Sequence, residues 1–510
     1  MQIVLKRSQS SYHLKVESSS LRTYPKFRSE KFCTREMETV QIVLIIIAAI
    51  WNIHIIVSMA LLWQRRHLDT VRYRSPGLTC VSAVSSMVLI AIYVALLPMQ
   101  KFPCFLNLWI TSLVQPLLYL TILARALRLL FFYQFSEARL AVALNKPEKS
   151  TYRPKSIIQI FTASRRKSDG SAYELHGLTD SPTPPLPSDS IVQDIPPPIW
   201  GYRGNDLSQN WYYRRRYMLS GQFIATVIAM ILMFHLCVVF IVQLLSKRFA
   251  LYPAIHTEDC MRGWEYYPHD VFACIYILIF FPFLIYKLWS VKDAYGIRVE
   301  LIATSLISCI GFFIFLMTLI FGKDTSFSKD IPHSLWWGLP LMVVSFFTVT
   351  YPLIKCLPYS FSCSRRLSSE TEYTMEVFES LLNNPIQFES FKLFTVSDFT
   401  IENTLFYERC RNIALSAQEA NCNNSIDVAT ELQEIYNTFI KTTAEFQVNL
   451  ESETRKSLLD KVEKELFTLD MYESAVEEIK FLMFRNTYLR YLTQAKTRRV
   501  DWEGKSEGFI

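Results

Sequence analysis

The side chains that could carry out covalent chemistry are few, and the C-terminal part of the chain holds almost none of them. Between Ser369 and Ile510 there is no histidine, no glycine-rich loop for a phosphate and no cluster of metal-ligand side chains. We therefore expect this part to have no catalytic residue, metal site or cofactor. It should act by binding a partner.

Cysteines are the other reactive group. The eleven cysteines form no CxxC pair, which argues against a zinc module. Cys104 and Cys260 lie in loops that are predicted to be outside the cell. There an oxidising environment preserves disulfides, so we predict a Cys104–Cys260 bond, with two free thiols as the alternative. Cys356 and Cys363 follow the last apolar segment on the inner side, where reversible palmitoylation and free thiols are both consistent with their position.

Long apolar segments must position most of these residues. The chain of 510 residues is 51% hydrophobic and only 19% charged. A bilayer core about 30 Å thick needs about 20 apolar helical residues. Seven segments reach that length or nearly so, and seven in series favour a transmembrane bundle over buried core helices. They are Val40–Trp63, Leu78–Leu97, Phe105–Leu127, Tyr217–Leu245, Val271–Trp289, Val299–Phe321 and Leu335–Ile354.

Short-loop charge predicts the orientation of this domain, residues 40–356. Arginine and lysine are concentrated in the loops after the first and fifth segments and after the seventh, so these are predicted to be cytoplasmic. The protein is then a multi-pass plasma-membrane protein with its N-terminus outside and its C-terminus inside. The basic tail, residues 1–39, disagrees, because eight Lys and Arg fall in residues 1–36. One explanation is that translation begins at Met37.

Polar residues within the apolar segments have two interpretations. Asn52, His54, Asn107, Gln115 and His235 could line a cavity for an extracellular ligand. Each could equally make an interhelical hydrogen bond, and the sequence favours this structural role for any single one. Membrane lipid is a further expected partner, because basic residues near the segments attract anionic headgroups.

The predicted cytoplasmic loop 133–216 is rich in proline. Proline residues are concentrated between 181 and 198, which favours extended polyproline geometry. A disordered spacer, a ligand for an SH3-type partner and a phosphorylation target at Ser181, Thr183 or Ser188 all remain open.

After a juxtamembrane linker, 357–368, the pattern changes. Residues 357–510 carry 17 Lys and Arg against 25 Asp and Glu, whereas the whole chain carries a net charge of +7. No clustered basic patch marks a nucleic-acid partner. Apolar residues recur at helical spacing, glycine is absent from 369 to 503, and no alternating strand pattern occurs. The fold class is therefore predicted to be all-α, with a cytoplasmic helical domain at 369–495 and a tail at 496–510.

Four blocks of this domain resemble the regulator of G-protein signalling (RGS) domain. They start with the run from Val377 to Leu382 and Phe388-Glu-Ser-Phe391, followed by Ser397-Asp-Phe-Thr-Ile-Glu-Asn-Thr-Leu-Phe-Tyr407. The resemblance continues through Ile435–Ile440 and Val448–Arg455 and closes with Ile479–Leu492. Seven apolar segments followed by such a domain look like the receptor-like RGS proteins of plants and fungi.

The resemblance implies binding to the GTP-bound α subunit of a heterotrimeric G protein (Gα) and acceleration of its GTP hydrolysis. The matching Gα-binding positions are Phe399, Thr400, Glu402, Asn403, Asn449, Leu482, Asn486, Thr487 and Arg490. Two positions depart from the family pattern. Tyr407 replaces a tryptophan, and Asn486 replaces an aspartate, which removes a charge from the contact and leaves binding strength open.

Other functions stay open at this point. A ligand-activated receptor could promote nucleotide exchange and carry the RGS domain as a desensitising tail, although the inner end of the third segment (Ala124-Arg-Ala126) lacks an acidic-Arg-aromatic triplet. A transporter is disfavoured by the odd number of segments and the absence of an internal repeat. A scaffold that binds Gα without stimulating it is the fourth alternative.

Overall fold

The computed structural model describes residues 26–95, 101–145, 207, 210–246, 249, 255–256, 263–321, 333–355, 373–419 and 425–495. The regular secondary structure of these ranges is helical apart from one antiparallel pair of two-residue strands, β1 (Lys101–Phe102) and β2 (Ile255–His256). The all-α prediction is confirmed for this part of the chain.

Seven of the helices are long and apolar enough, by length and composition, to cross a membrane. Each of these helices overlaps one of the seven predicted apolar segments. Their bounds are α1 Lys26–Gln64, α3 Pro76–Ala95, α4 Cys104–Asn145, α6 Gly221–Leu245, α7 Trp264–Trp289, α8 Ile297–Phe321 and α9, which begins with His333–Ser345 and continues to residue 355. Two one-turn helices, α2 (Asp69–Arg72) and α5 (Trp211–Arg214), lie between them.

Two of the long helices extend beyond the predicted apolar segments. Helix α1 begins at Lys26, inside the predicted tail, and α4 continues to Asn145, well past the predicted start of the loop at 133. The reason for the second difference is that hydropathy falls after residue 133 while the helix-forming pattern persists. No proline or glycine interrupts residues 128–145, and Ala138 and Val142 lie one turn apart on a buried face.

A buried ion pair lies inside the bundle. Arg74 donates to both carboxylate oxygens of Glu300 at 2.6–3.2 Å and to the carbonyl oxygen of Tyr295 at 2.7 Å. Both side chains are only 1% exposed. Arg74 therefore links the loop after α1 to α8 and is not available to face lipid headgroups as a loop charge.

The polar residues of the apolar segments mostly bond within the bundle. His54 Nε2 contacts Thr350 Oγ1 at 3.1 Å, and His235 Nε2 contacts the Tyr276 hydroxyl at 3.2 Å. Asn107 Nδ2 donates to the Tyr266 hydroxyl at 2.8 Å, and Gln115 Nε2 donates to the Tyr119 hydroxyl on its own helix. The amide oxygens of Asn52 and Asn107 are both buried without a partner among the described residues.

Cys104 is disulfide-bonded, and Cys260 lies outside the described residues. The strand pair places Phe102, two residues before Cys104 in the sequence, opposite Ile255, five residues before Cys260 in the sequence. Pairing with Cys260 remains a prediction. The linker 357–368, the tail 496–510, the proline-rich run 181–198, Cys356 and Cys363 also lie outside the described residues.

The C-terminal domain contains six helices within the described ranges. They are α10 Met375–Asn383, α11 Pro385–Ser397, α12 Ile401–Glu419, α13 Ser425–Ile435, α14 Ser452–Glu463 and α15, which begins with Glu473–Leu482 and continues to residue 495. Phe378, Phe391, Phe406, Ile479 and Met483 are fully buried in its core. The same core includes Ala138 and Val142 of α4, so the domain packs against the C-terminal turns of α4.

Candidate functional site

The turn between α11 and α12 carries the first predicted contact motif. Helix α11 ends at Ser397, and Phe399 adopts a left-handed φ of 57°. Its N–H donates to the Val396 carbonyl at 3.3 Å, and the N–H of Thr400 donates to the Thr395 carbonyl at 3.0 Å. These bonds form a Schellman-type helix end, in which glycine is the usual left-handed residue. A non-glycine residue in this conformation costs of order 1–3 kcal/mol, so its surroundings must hold it there.

A buried ion pair holds this turn. Arg490 of α15 donates two parallel hydrogen bonds to Asp398, Nε to Oδ1 at 2.6 Å and one terminal nitrogen to Oδ2 at 2.7 Å. Burial raises the pKa of the Asp398 carboxyl, and the neighbouring Arg490 guanidinium opposes that shift. The pair therefore ties the α11–α12 turn to the last helix, two segments far apart in the sequence.

Hydroxyl contacts complete the same junction. The Thr400 hydroxyl donates to Asp398 Oδ2 at 3.1 Å and lies 3.5 Å from the Thr487 hydroxyl. The structure thus brings together the first predicted motif and the last predicted cluster. Leu482 and Asn486 are half-buried on α15, the helix that supplies Arg490.

Asn403 lies one turn into α12. Its side chain is buried, and its amide oxygen has no hydrogen-bond partner among the described residues. An unpartnered buried acceptor costs about 1–3 kcal/mol. No bound partner can reach this oxygen in the present arrangement, so the Gα contact of Asn403 stays a prediction.

Asn449 lies on an extended loop between α13 and α14 and is exposed. The loop around it is fixed, because the Val448 N–H donates to the Phe439 carbonyl at 2.9 Å and Arg455 donates to the Val448 carbonyl at 3.0 Å. Asn449 is thus an exposed amide on a loop anchored from both sides.

Three predicted contact residues touch the bundle. The Phe399 ring lies 5.2 Å from the Tyr73 ring and 6.1 Å from the Tyr295 ring, measured between centroids. Glu402 forms a 2.9 Å ion pair with Arg139 of α4. The Arg490 guanidinium lies 4.9 Å from the Tyr295 ring centroid.

Sequence reasoning missed Asp398, although it stands within the quoted motif directly before Phe399. A buried carboxylate needs a cation, and the cation that pairs with Asp398 is Arg490, 92 positions further along the chain. It also missed Tyr73, Arg139 and Tyr295. No local sequence signal identifies these, because their contacts join residues more than 100 positions apart.

Tyr407, where the family has a tryptophan, is half-buried against the Phe388 ring, with a centroid distance of 6.2 Å. Burial raises the pKa of its hydroxyl. Its position in the domain core agrees with a packing role and not with a direct contact.

The C-terminal domain is similar to known proteins. Residues 377–497 match the family described as "Regulator of G protein signaling domain". Similar proteins include three from Homo sapiens, all regulators of G-protein signaling. Regulator of G-protein signaling 21 is 26% identical over 27% of this chain and 83% of its own length. Regulator of G-protein signaling 19 is 23% identical over 30% of this chain and 67% of its own length. Regulator of G-protein signaling 10 is 29% identical over 26% of this chain and 68% of its own length. The C-terminal domain of this protein is therefore a regulator of G protein signaling domain.

Proposed function

We propose that this protein binds the GTP-bound Gα subunit through its RGS domain and accelerates GTP hydrolysis, which terminates G-protein signalling. The observation that carries the proposal is the family match over residues 377–497. It is supported by the Asp398–Arg490 pair, which holds Phe399, Thr400 and Thr487 in one junction.

The required chemistry suits these side chains. A Gα subunit supplies its transition-state arginine in cis, so a partner need not donate one. The partner needs to hold the mobile switch loops in the geometry that orients the attacking water. Amides and hydroxyls such as Asn403, Asn449 and Thr400 can bond to those loops without adding bulk. The catalytic site then belongs to Gα, and this chain contributes no catalytic residue.

The seven long apolar helices support membrane anchoring. Their composition suits a multi-pass protein of the plasma membrane, with an arrangement like that of receptor-like RGS proteins of plants and fungi. The RGS domain packs against the loop after α1 and the loop before α8, which the charge pattern assigns to the cytoplasm. In this proposal the N-terminus is outside, the RGS domain is cytoplasmic near lipidated Gα, and an extracellular ligand can control the bundle.

Single-turnover hydrolysis tests the proposal. The full chain in lipid nanodiscs is added at saturating concentration to a GTP-loaded Gα, and released phosphate is measured. We expect acceleration by the wild type and a loss of at least tenfold for Asn449→Ala, because one exposed amide that reaches the switch region is removed. The full chain should also bind Gα·GDP–AlF₄⁻ more tightly than Gα·GDP, because AlF₄⁻ stands in for the transferring phosphoryl group.

Asn383→Ala is the matched control, since Asn383 is also an exposed asparagine of this domain and lies at the end of α10. It should accelerate hydrolysis like the wild type. Binding of Gα without acceleration at any concentration would identify a scaffold. Stimulated nucleotide exchange without faster hydrolysis would identify a receptor. Either result contradicts the proposal.

A further inference from the structure

The loop that carries the first Gα-contact motif is covered by the rest of the same chain. Phe399 is buried within the hydrophobic core of the bundle, where its ring lies against Tyr73, Phe132 and Tyr295. These three side chains come from the loop after α1, the inner end of α4 and the loop before α8. We call them, together with Arg139 and Ala294, the docking face.

Backbone atoms also join across this contact. The Ala294 N–H donates to the Ser397 carbonyl at 3.0 Å. The Tyr295 hydroxyl donates to the Asp398 carbonyl at 3.3 Å, and the Tyr73 hydroxyl reaches the Phe399 carbonyl at 3.5 Å. Three consecutive carbonyls of the α11–α12 turn are therefore bound by the docking face.

Arg139 reaches two separate parts of the RGS surface. One terminal nitrogen bonds Glu402 Oε2 at 2.9 Å, and the other donates to the Glu445 carbonyl at 2.9 Å. Its guanidinium also lies 5.8 Å from the Phe446 ring centroid. Glu402 belongs to the first contact motif, and Glu445 and Phe446 precede Asn449 on the α13–α14 loop. One arginine of α4 thus spans the gap between two predicted Gα-contact segments.

We propose that the docking face and Gα compete for the same surface of the RGS domain, so that the structure is an autoinhibited, closed state. The proposal rests on the proposed function, because it takes Phe399, Glu402 and Arg490 to be Gα contacts. Gα can engage these side chains only after the domain leaves the bundle. The bundle then controls the regulator by the strength of this contact.

The interface has the composition of a reversible contact. Arg139 and Glu402 are 15% and 17% exposed, whereas the Arg74–Glu300 and Arg490–Asp398 pairs are almost fully buried. Water can therefore reach this pair. Separating Arg139 from Glu402 thus costs less free energy than separating one of the two buried pairs, because neither charge is left fully buried and unpaired. If only the open fraction of molecules binds Gα, the apparent Kd equals the intrinsic Kd divided by that fraction.

The affinity test changes only the bundle side. The Gα concentration that half-saturates binding is measured with Gα·GDP–AlF₄⁻ and the full chain in nanodiscs. Arg139→Ala should lower that concentration about tenfold, since opening costs less, and should leave the maximal hydrolysis rate unchanged. Tyr295→Phe, which removes one hydroxyl, should lower it about threefold.

Arg66→Ala is the matched control, because it removes an exposed arginine from the loop between α1 and α2, which the charge pattern also places on the cytoplasmic side. It should not change the half-saturating concentration. An equal or higher concentration for both Arg139→Ala and Tyr295→Phe, with hydrolysis still accelerated, overturns the competition and leaves the proposed function standing.

Hydrogen exchange at the Ala294 amide reads the contact without relying on catalysis. Without Gα, this amide should exchange faster in Arg139→Ala than in the wild type, even if that variant binds no Gα at all. Saturating Gα·GDP–AlF₄⁻ should also speed its exchange in the wild type, since Gα displaces the docking face. Unchanged exchange in the variant, or slower exchange with Gα bound, contradicts the closed state.

Discussion

The bundle and the RGS domain are both helical, but their outer surfaces differ in kind. Large apolar side chains are exposed along every long helix of the bundle, as at Ile53, Phe240, Leu278 and Phe313. In the described part of the RGS domain, Ile386, Leu459, Leu466, Leu469 and Phe481 are the exposed large apolar residues. Proteins in water rarely expose wide apolar patches. The difference is what the proposed membrane anchoring requires, because the bundle would then face lipid and the RGS domain would face water.

The ion pairs within the two regions also differ from the ion pair that joins them. Each region has a bidentate arginine–carboxylate pair in its interior, Arg74 with Glu300 in the bundle and Arg490 with Asp398 in the RGS domain. Each fixes a turn to a helix distant in sequence. The pair between the regions, Arg139 with Glu402, is more exposed. Interior pairs therefore hold each region together, whereas the boundary pair can open.

The largest expected effect comes from breaking an interior pair. Glu300→Ala leaves Arg74 buried without its carboxylate, and Asp398→Ala does the same to Arg490. Each should destabilise its own region by about 3–5 kcal/mol and lower the apparent melting temperature by roughly 10 °C. Thermal unfolding in nanodiscs, followed by tryptophan fluorescence, measures this. Asp460→Ala breaks the exposed Asp460–Lys464 pair and should melt like the wild type; equal melting of all three variants would refute the distinction.

Lysine substitution tests the two surfaces. Leu278 of the bundle is 58% exposed and Leu466 of the RGS domain is 52% exposed. If the bundle faces lipid, Leu278→Lys should cost about 2.5–3.5 kcal/mol and reduce membrane insertion. Leu466→Lys should change stability by about 0.5 kcal/mol or less. Insertion efficiency and chemical unfolding measure the two, and equal tolerance at both positions would show that the bundle exterior faces water.

The smallest expected effect concerns the departure at Asn486. Asn486→Asp restores the charge that the resemblance leads one to expect. Charge-assisted hydrogen bonds are roughly twice as strong as neutral ones, so binding of Gα·GDP–AlF₄⁻ should tighten by about threefold to fivefold. Asn437→Asp adds the same charge at another exposed asparagine of the domain and should leave binding unchanged. Weaker binding by Asn486→Asp would mean that this Gα favours the neutral amide.

Much of the architecture follows from local pattern. Apolar run length predicts the seven long helices, and helical spacing predicts the domain after them, because both depend on neighbouring residues along one helix. The ends of the helices follow less well. Helix α4 continues to Asn145 because its last turns, including Ala138 and Val142, pack against the RGS core, which hydropathy alone does not register.

Local sequence pattern predicts only some of the Gα-contact residues. The motif around Phe399 and the cluster around Thr487 stand in the sequence, but their junction depends on Asp398 meeting Arg490 across 92 positions. Sequence spacing does not encode such a distance, because it is set by how α11, α12 and α15 pack.

The sequence by itself determined that an apolar seven-helix part precedes an acidic helical domain with the motifs of a Gα regulator. Only the tertiary structure decided that the first of these motifs lies against the bundle. Tyr73, Arg139 and Ala294 come from three segments with no common pattern. Their contacts with Phe399, Glu402 and Ser397 exist because packing brings those segments to one end of the bundle.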